Sequence, residues 1–519
     1  MLTFKKRKMK KYKMVLLGIG IGAMSLNACS DKYLDLQDKQ SLNENTFWTT
    51  RQHAIQGISA TYAALQGHDG SMWTFFEQVY VGLTYKSDEV DNNKNEPYGK
   101  ELAAFINGPE ESSGYNIWAT CYAGIGRANQ VIDNVPRINV MTEEERNQII
   151  GEAKFLRALN YFTLVNGFEN IPLVLSFEKD LSKLRVPQSK PADIWAQIEK
   201  DLKDAEAVLP PDYSSSGMQG RATKYAAIAL LGKAYLFQEK WADAENKLNE
   251  LYNKFSLLPN YVDNFNGKSE NGPESIFEIQ FSGDRSVTDE RHPFNFELRP
   301  AALDGWDEMS PSTWLYNEFR KDVKADGTLS DRVYGSIFFD DPNSFMYDLN
   351  VPANLVPYSA VKNDLRVPYY FTKYTYPTDR SGSYTGINIQ VIRYADVLLM
   401  LAEAKNENNK TDEAIGLINE VRERSHAKAL TPGSFTKDQL RTQIRHHERP
   451  VELSMEWTIR WFDLVRWHRG AVAKESLKST LSNHNKPFAN NFDDRKHVRF
   501  AIPQTERNAN PLLDQNFGY

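Results

Sequence analysis

The stretch that most restricts how this chain can fold is Arg393 to Ser425, RYADVLLMLAEAKNENNKTDEAIGLINEVRERS. Val397, Leu398, Leu401 and Ala402 recur at helical spacing, and Ala414, Ile415, Ile418 and Val421 do so again after a polar break at Asn408, Asn409, Lys410 and Thr411. The pattern predicts two antiparallel helices joined by a short turn, with Ala402, Ala404 and Ala414 small enough to let the backbones approach. One such hairpin cannot bury its apolar face alone, so further hairpins must stack on it.

A second pair is expected over Thr223–Phe255. There Leu231, Gly232 and Tyr235 reproduce the L-G-x-x-Y core of a tetratricopeptide unit, and Trp241, Ala242 and Ala244 open the second helix. Gly151–Val165 belongs to a third, behind a capped start at Thr142 with Glu143–Glu145. Asp193–Leu209 and Trp118–Val135 read as amphipathic helices, and Ala54, Ile58, Tyr62 and Leu65 mark a first helix capped by Asn45 or Thr46. From about Phe265 to Gln390 the helical period fades. Ser275–Phe281 alternates like a strand, and Trp306, Trp314, Tyr316, Tyr347, Tyr358, Tyr369, Tyr370, Tyr374, Tyr376 and Tyr384 are expected on loops. The fold class is therefore mainly α: a tetratricopeptide-like helical repeat scaffold with an inserted irregular, loop-rich region containing short strands. The frame spans about 40–264 and 391–470, the insert about 265–390, and a carboxy-terminal tail 471–519.

Lys5, Lys6, Arg7, Lys8, Lys10, Lys11 and Lys13 precede an apolar run, Met14–Ala23, too short to span a membrane. Leu26, Asn27, Ala28 and Cys29 follow and resemble a bacterial lipobox. Residues 1–28 are then a signal peptide, and acylated Cys29 is the first mature residue. Seven of the 62 basic residues lie in 1–28, which leaves 55 against 68 acidic ones, a net charge of about −13. So acidic a body argues against nucleic acid as a ligand. With Cys121 the only other cysteine, no disulfide framework exists, and its helical context makes it a small buried apolar residue.

The run RYAD, LLMLAEA, EAIGLINEVRERS resembles the SusD/RagB family of surface nutrient-binding lipoproteins. Arg445, Glu448, Arg449, Glu452, Leu453, Glu456, Arg460, Asp463, Leu464, Arg466 and Trp467 follow the same family pattern. So do Pro503, Glu506, Asn510, Pro511, Leu513, Gln515, Asn516, Gly518 and Tyr519 at the carboxy terminus, with departures at Glu169, Ala501 and Phe517. The resemblance implies an outer-membrane lipoprotein facing outward that captures oligosaccharides for a SusC-like TonB-dependent transporter, and the sequence carries no motif for a cofactor or metal. It also implies a site drawn from the loop after the first helices and from the irregular insert. Within those regions, rings in polar contexts point to Trp73, Tyr98, Trp306, Tyr358 and Tyr384 for stacking on sugar faces, with Asp88 and Asn92 for hydroxyls. Asp88, Glu89, Asp91, Asn92 and Asn93 otherwise read as a solvated loop without calcium-loop spacing. Two or three stacks, each about 0.5–1.5 kcal/mol beyond area burial, give a weak millimolar-to-micromolar site.

Three rival readings differ in class. The first is a binder of peptides or other non-sugar nutrients for the same type of transporter. The second is a glycoside hydrolase using Glu448 and Glu452, which with Glu456 fall at i, i+4 and i+8. The nearby Arg445, Arg449 and Arg460 make a buried ion-pair network the plainer account of those carboxylates. The third is a lid for the channel with no ligand site. Adjacent His446 and His447 point to different helix faces, unlike a zinc motif.

Overall fold

The computed structural model describes residues 47–71, 74, 82–93, 97–180, 183–213, 217–284, 290–348, 355–376 and 384–519. Side-chain caps set where its helices begin. Thr50 accepts a hydrogen bond from the His53 N–H at 3.2 Å and opens the helix Arg51–Ala63; Asn45 and Thr46, expected to cap it, lie outside the described residues. Thr142 and Glu145 cap reciprocally at the start of Glu143–Phe168, and Thr223 caps Lys224–Phe237.

The helices pack in a row. Ser112–Asn134 lies on Glu143–Phe168, which lies on Pro191–Val208; Lys224–Phe237 follows, then Trp241–Asn249, Tyr394–Glu407 and Thr411–Arg424. The chain thus leaves the row after Asn249 and re-enters it at Tyr394, so the irregular region is a true insertion. All eight apolar residues that defined the Arg393–Ser425 hairpin are fully buried. Tyr394–Glu407 is buried on nearly every side, as expected of a helix with neighbours all round.

Gly232 shows why the tetratricopeptide core needs a glycine. A Cβ there would lie 2.6 Å from Cγ and Cδ2 of Leu248 on the next helix. Gly232→Ala is expected to lower stability by about 1–3 kcal/mol through overpacking, outweighing the helix-propensity gain of about 1 kcal/mol, as read by urea unfolding.

Among the described residues the insert contributes only short antiparallel pairings. Ser275–Ile279 pairs with Ile389–Arg393, Ile337–Phe339 with Tyr369–Phe371, and Phe345–Tyr347 with Leu355–Pro357. Its rings do not all sit on loops. Trp314 and Tyr316 belong to the helix Thr313–Lys321, and Tyr358 and Tyr370 are buried in a cluster with Leu303, Phe338 and Met346.

Frame, insert and carboxy-terminal segment meet in a buried ion network. Arg393, at the entry to Tyr394–Glu407, donates through Nη1 to Glu274 and Glu452, each at 2.7 Å, and through Nε to Glu456 at 2.7 Å. Arg332 holds both oxygens of Asp322 at 2.8 Å and reaches Glu448 at 3.1 Å; Arg422 also takes Glu448, Arg424 takes Glu452, and Lys373 takes Glu456. The three glutamates do not share one regular helix. Ile444–Glu448 is a π-turn, Arg449–Leu453 is α-helical, and the chain breaks at Ser454, which puts Glu456 in a turn. Desolvation alone would raise the Glu452 carboxyl, but the guanidiniums of Arg424, Arg393 and Arg332 outweigh it and hold it down at about 2. His446 faces Glu475 and His447 faces Glu318 and Asp322, so the imidazoles diverge. Cys121 is buried in Ser112–Asn134, and burial pushes its thiol up.

Candidate ligand-binding edge

Two regions distant in sequence are joined by one antiparallel ladder, in which Val90, Asp91 and Asn92 face Pro311, Ser310 and Met309. The ladder is extended at both ends, where the Asn93 N–H donates to the Glu308 carbonyl at 2.9 Å and the Ser312 N–H donates to the Glu89 carbonyl at 2.8 Å. Ser310 Oγ also donates to Asn93 Oδ1 at 2.7 Å.

Just before the ladder, residues 300–308 turn tightly. A Cβ on Gly305 would come within 2.1 Å of the Arg299 carbonyl oxygen, so only glycine fits, and Asp304 and Asp307 flank it with φ of 61° and 62°. This turn presents the half-buried indole of Trp306, stacked on Phe296 at 5.2 Å between ring centres and 18° between planes. Tyr384, also half-buried, meets the same Phe296 edge-on at 5.9 Å, with the Arg291 guanidinium 5.4 Å from its ring centre. Beside Trp306, the exposed Arg366 bonds Asp307 Oδ2 through Nε at 2.7 Å. The result is an aromatic cluster bordered by the Arg366–Asp307 ion pair.

The structure therefore brings Trp306 and Tyr384 together on one ring; Asn92 pairs with Met309, three residues after Trp306, with its amide nitrogen buried beside Gly99. It corrects two other expectations. Asp88 is fully buried, with Arg460 Nε and Nη2 each 2.6 Å from its carboxylate and His484 Nδ1 at 2.7 Å. Burial opposes its ionisation, but Arg460 overrides this and holds the carboxyl far below the usual range, so its oxygens serve the fold, not a ligand. Tyr358 is 5% exposed, packs on Phe338 at 5.2 Å and donates to the Pro368 carbonyl at 3.0 Å. The segment read as solvated is in fact buried from Lys86 to Val90. There Glu89 is pushed up to about 8 by burial, and Lys486 Nζ donates to the Val90 carbonyl at 2.6 Å.

Tyr98 lies in the short helix Pro97–Ala103, whose Gly99 packs so closely that a Cβ would sit 2.3 Å from Tyr85 and 2.9 Å from the Asn92 amide. Its side chain, and all of Trp73, lie outside the described residues. Sequence reasoning passed over Tyr316 and Tyr369, which stack at 4.3 Å and 12°, with the Tyr369 hydroxyl 2.7 Å from Thr313 Oγ1. Both are half-buried, beside the Met309–Pro311 strand. They meet because Tyr369 pairs with Phe339, on which Tyr316 also packs at 6.0 Å.

Comparison with known proteins gives concordant matches. Residues 273–519 match the family model described as the SusD family, and residues 32–236 match one described as starch-binding associating with outer membrane. SusD-like protein P38 of Formosa agariphila is 27% identical over 506 residues, covering 89% of this chain and 93% of that protein. Among solved structures, a SusD superfamily protein from Bacteroides vulgatus superposes with a TM-score of 0.78 at 27% identity, covering 91% of this chain and 100% of that one. A laminarin-binding SusD-like protein superposes with a TM-score of 0.71 at 25% identity, again covering 91% and 100%.

Proposed function

This chain belongs to the SusD/RagB family, and from that premise we propose that it captures oligosaccharides at the cell surface, tethered to the outer membrane by acyl chains on Cys29, and delivers them to a SusC-like TonB-dependent transporter. The observation that carries the reading is the Trp306–Phe296–Tyr384 cluster with the Arg366–Asp307 pair at its border. A sugar ring has an apolar C–H face and a rim of hydroxyls. A half-exposed indole takes the face, and the neighbouring guanidinium and carboxylate take the rim. The names of the matched starch-binding model and of the laminarin-binding relative support a glycan as cargo.

Binding without cleavage fits the carboxylates as well. Glycoside hydrolysis needs an acid with a raised pKa in a cleft, whereas Glu448 and Glu452 are buried, and arginines hold both carboxyls below the ordinary value.

The reading is tested by calorimetry on the detergent-solubilised full chain with polysaccharides and peptides. Heat with a glycan is expected at millimolar-to-micromolar affinity; heat with peptides alone would transfer the role to the peptide-binding rival. The tether is tested by Cys29→Ser. Among the described residues no helix is long and apolar enough to cross a membrane, and two or three acyl chains suffice for stable anchoring. The variant is expected to leave the membrane fraction and lose the fatty-acid mass that the unaltered chain carries; a variant that stays membrane-bound would refute the tether.

A further inference from the structure

We propose that a second pocket, between the helical frame and the first strand of the insert and separate from the Trp306 edge, binds a short neutral oligosaccharide, so that each chain holds two points on a glycan; this rests on the glycan reading above.

The pocket has a volume of about 670 Å³, within the roughly 300–1,000 Å³ of ligand sites. It lies where the turn after Trp241–Asn249 meets the strand Ser275–Ile279, and none of Trp306, Tyr384 or Asn92 lines it. Its walls are tied together in advance. The Ser256 N–H donates to the Pro273 carbonyl at 3.1 Å, and the Asn253 N–H donates to the Tyr394 hydroxyl at 3.0 Å. Asn271 exchanges two side-chain hydrogen bonds with Gln280, at 2.8 and 3.1 Å, while its N–H donates to Glu278 Oε2 at 3.0 Å. Gly220, with φ of 87°, lets the opposite wall approach Gln280 more closely than any Cβ would allow.

The lining suits a sugar. Phe255 offers a half-buried ring, and Ser256 an exposed hydroxyl. Among the described residues, Arg221 donates through Nη1 alone, at 3.3 Å to both oxygens of Glu152, which leaves Nε and Nη2 as donors there. Its charged groups are mixed in sign, Arg221 and Lys254 against Asp212, Glu278 and the Glu152 that Arg221 pairs with, so hydroxyls, which both donate and accept, are the groups the pocket suits best.

Hydrogen exchange and calorimetry on the full chain, with short oligosaccharides from laminarin and starch as probes, test the proposal. Binding is expected to protect backbone amides in 253–256 and 271–278 as well as 304–311, with two molecules bound per chain. Ser256→Trp, at an exposed position, is expected to fill the pocket, remove the first protection and halve the stoichiometry while leaving 304–311 protected. One molecule per chain with protection confined to 304–311 overturns the second pocket and leaves the proposed function standing. Loss of both protections in wild type overturns both.

Discussion

Arg393→Met is expected to lower stability by about 3–5 kcal/mol, the usual cost of removing one partner from a buried ion network. The guanidinium is 1% exposed and serves Glu274 from the insert and Glu452 and Glu456 from the carboxy-terminal segment, two regions far apart in sequence. Methionine fills much of the volume but leaves three carboxylates to share Arg424, Arg332 and Lys373. Arg51→Ala, which removes an ion pair that is 58% and 36% exposed, is the contrasting control and should cost at most about 1 kcal/mol. Urea midpoints measure both, and equal midpoints for the two variants would contradict the account.

The same network fixes how wild-type stability responds to acid. Glu452 in that network, and Asp463 in a separate buried cluster between Arg449 and Arg466, are held at about 2, against ordinary values of 4.5 and 3.8. Groups depressed on folding add stability above their unfolded pKa and lose it as pH falls through the folded one. Stability should therefore drop between about pH 4.5 and pH 2, and less steeply in Arg393→Met, where Glu452 has lost one cation. Glu89 acts in the opposite sense. Its folded carboxyl, at about 8, binds a proton that the unfolded chain has released above 4.5, so its contribution declines from about pH 4.5 to pH 8.

How far the sequence could be read follows from the range of each interaction. The hairpin at Arg393–Ser425, the capping box at Thr142 and the glycine of the Leu231–Tyr235 core are local, and the structure has each of them. Asp88 was misjudged because its partner Arg460 lies 372 residues away. Without that partner, a run of Asp, Glu and Asn has the composition of a solvated loop. The Glu448, Glu452, Glu456 spacing assumed an unbroken helix, and the π-turn and the break at Ser454 are set by tertiary packing that periodicity does not record. At the binding edge, polar context singled out Trp306 and Tyr384, but the same criterion selected Tyr358, whose neighbours in space are Phe338 and Tyr370. The Tyr316–Tyr369 stack depends on a strand pairing for which the sequence carries no marker.

Trp306→Ala is expected to weaken glycan binding at least tenfold, about 1.4 kcal/mol or more, with little change in the urea midpoint. On the proposed function the stacked indole is the sugar platform, and it is only half-buried, so its loss removes contact area from the ligand but opens no core cavity. Trp306→Phe should recover most of the affinity, because the platform and its stack on Phe296 survive. Tyr384→Ala should cost less, since that ring meets Phe296 by its edge, and the double variant should fall short of the summed losses because both rings bear on one support. Tyr358→Ala separates binding from folding. Its ring is core, so the expected result is a loss of about 3–5 kcal/mol in stability with affinity retained at temperatures where the protein is folded. If Trp306→Ala binds glycan as tightly as wild type while Tyr358→Ala does not, the edge has been placed on the wrong face of the insert, and the Tyr316–Tyr369 stack becomes the platform to test.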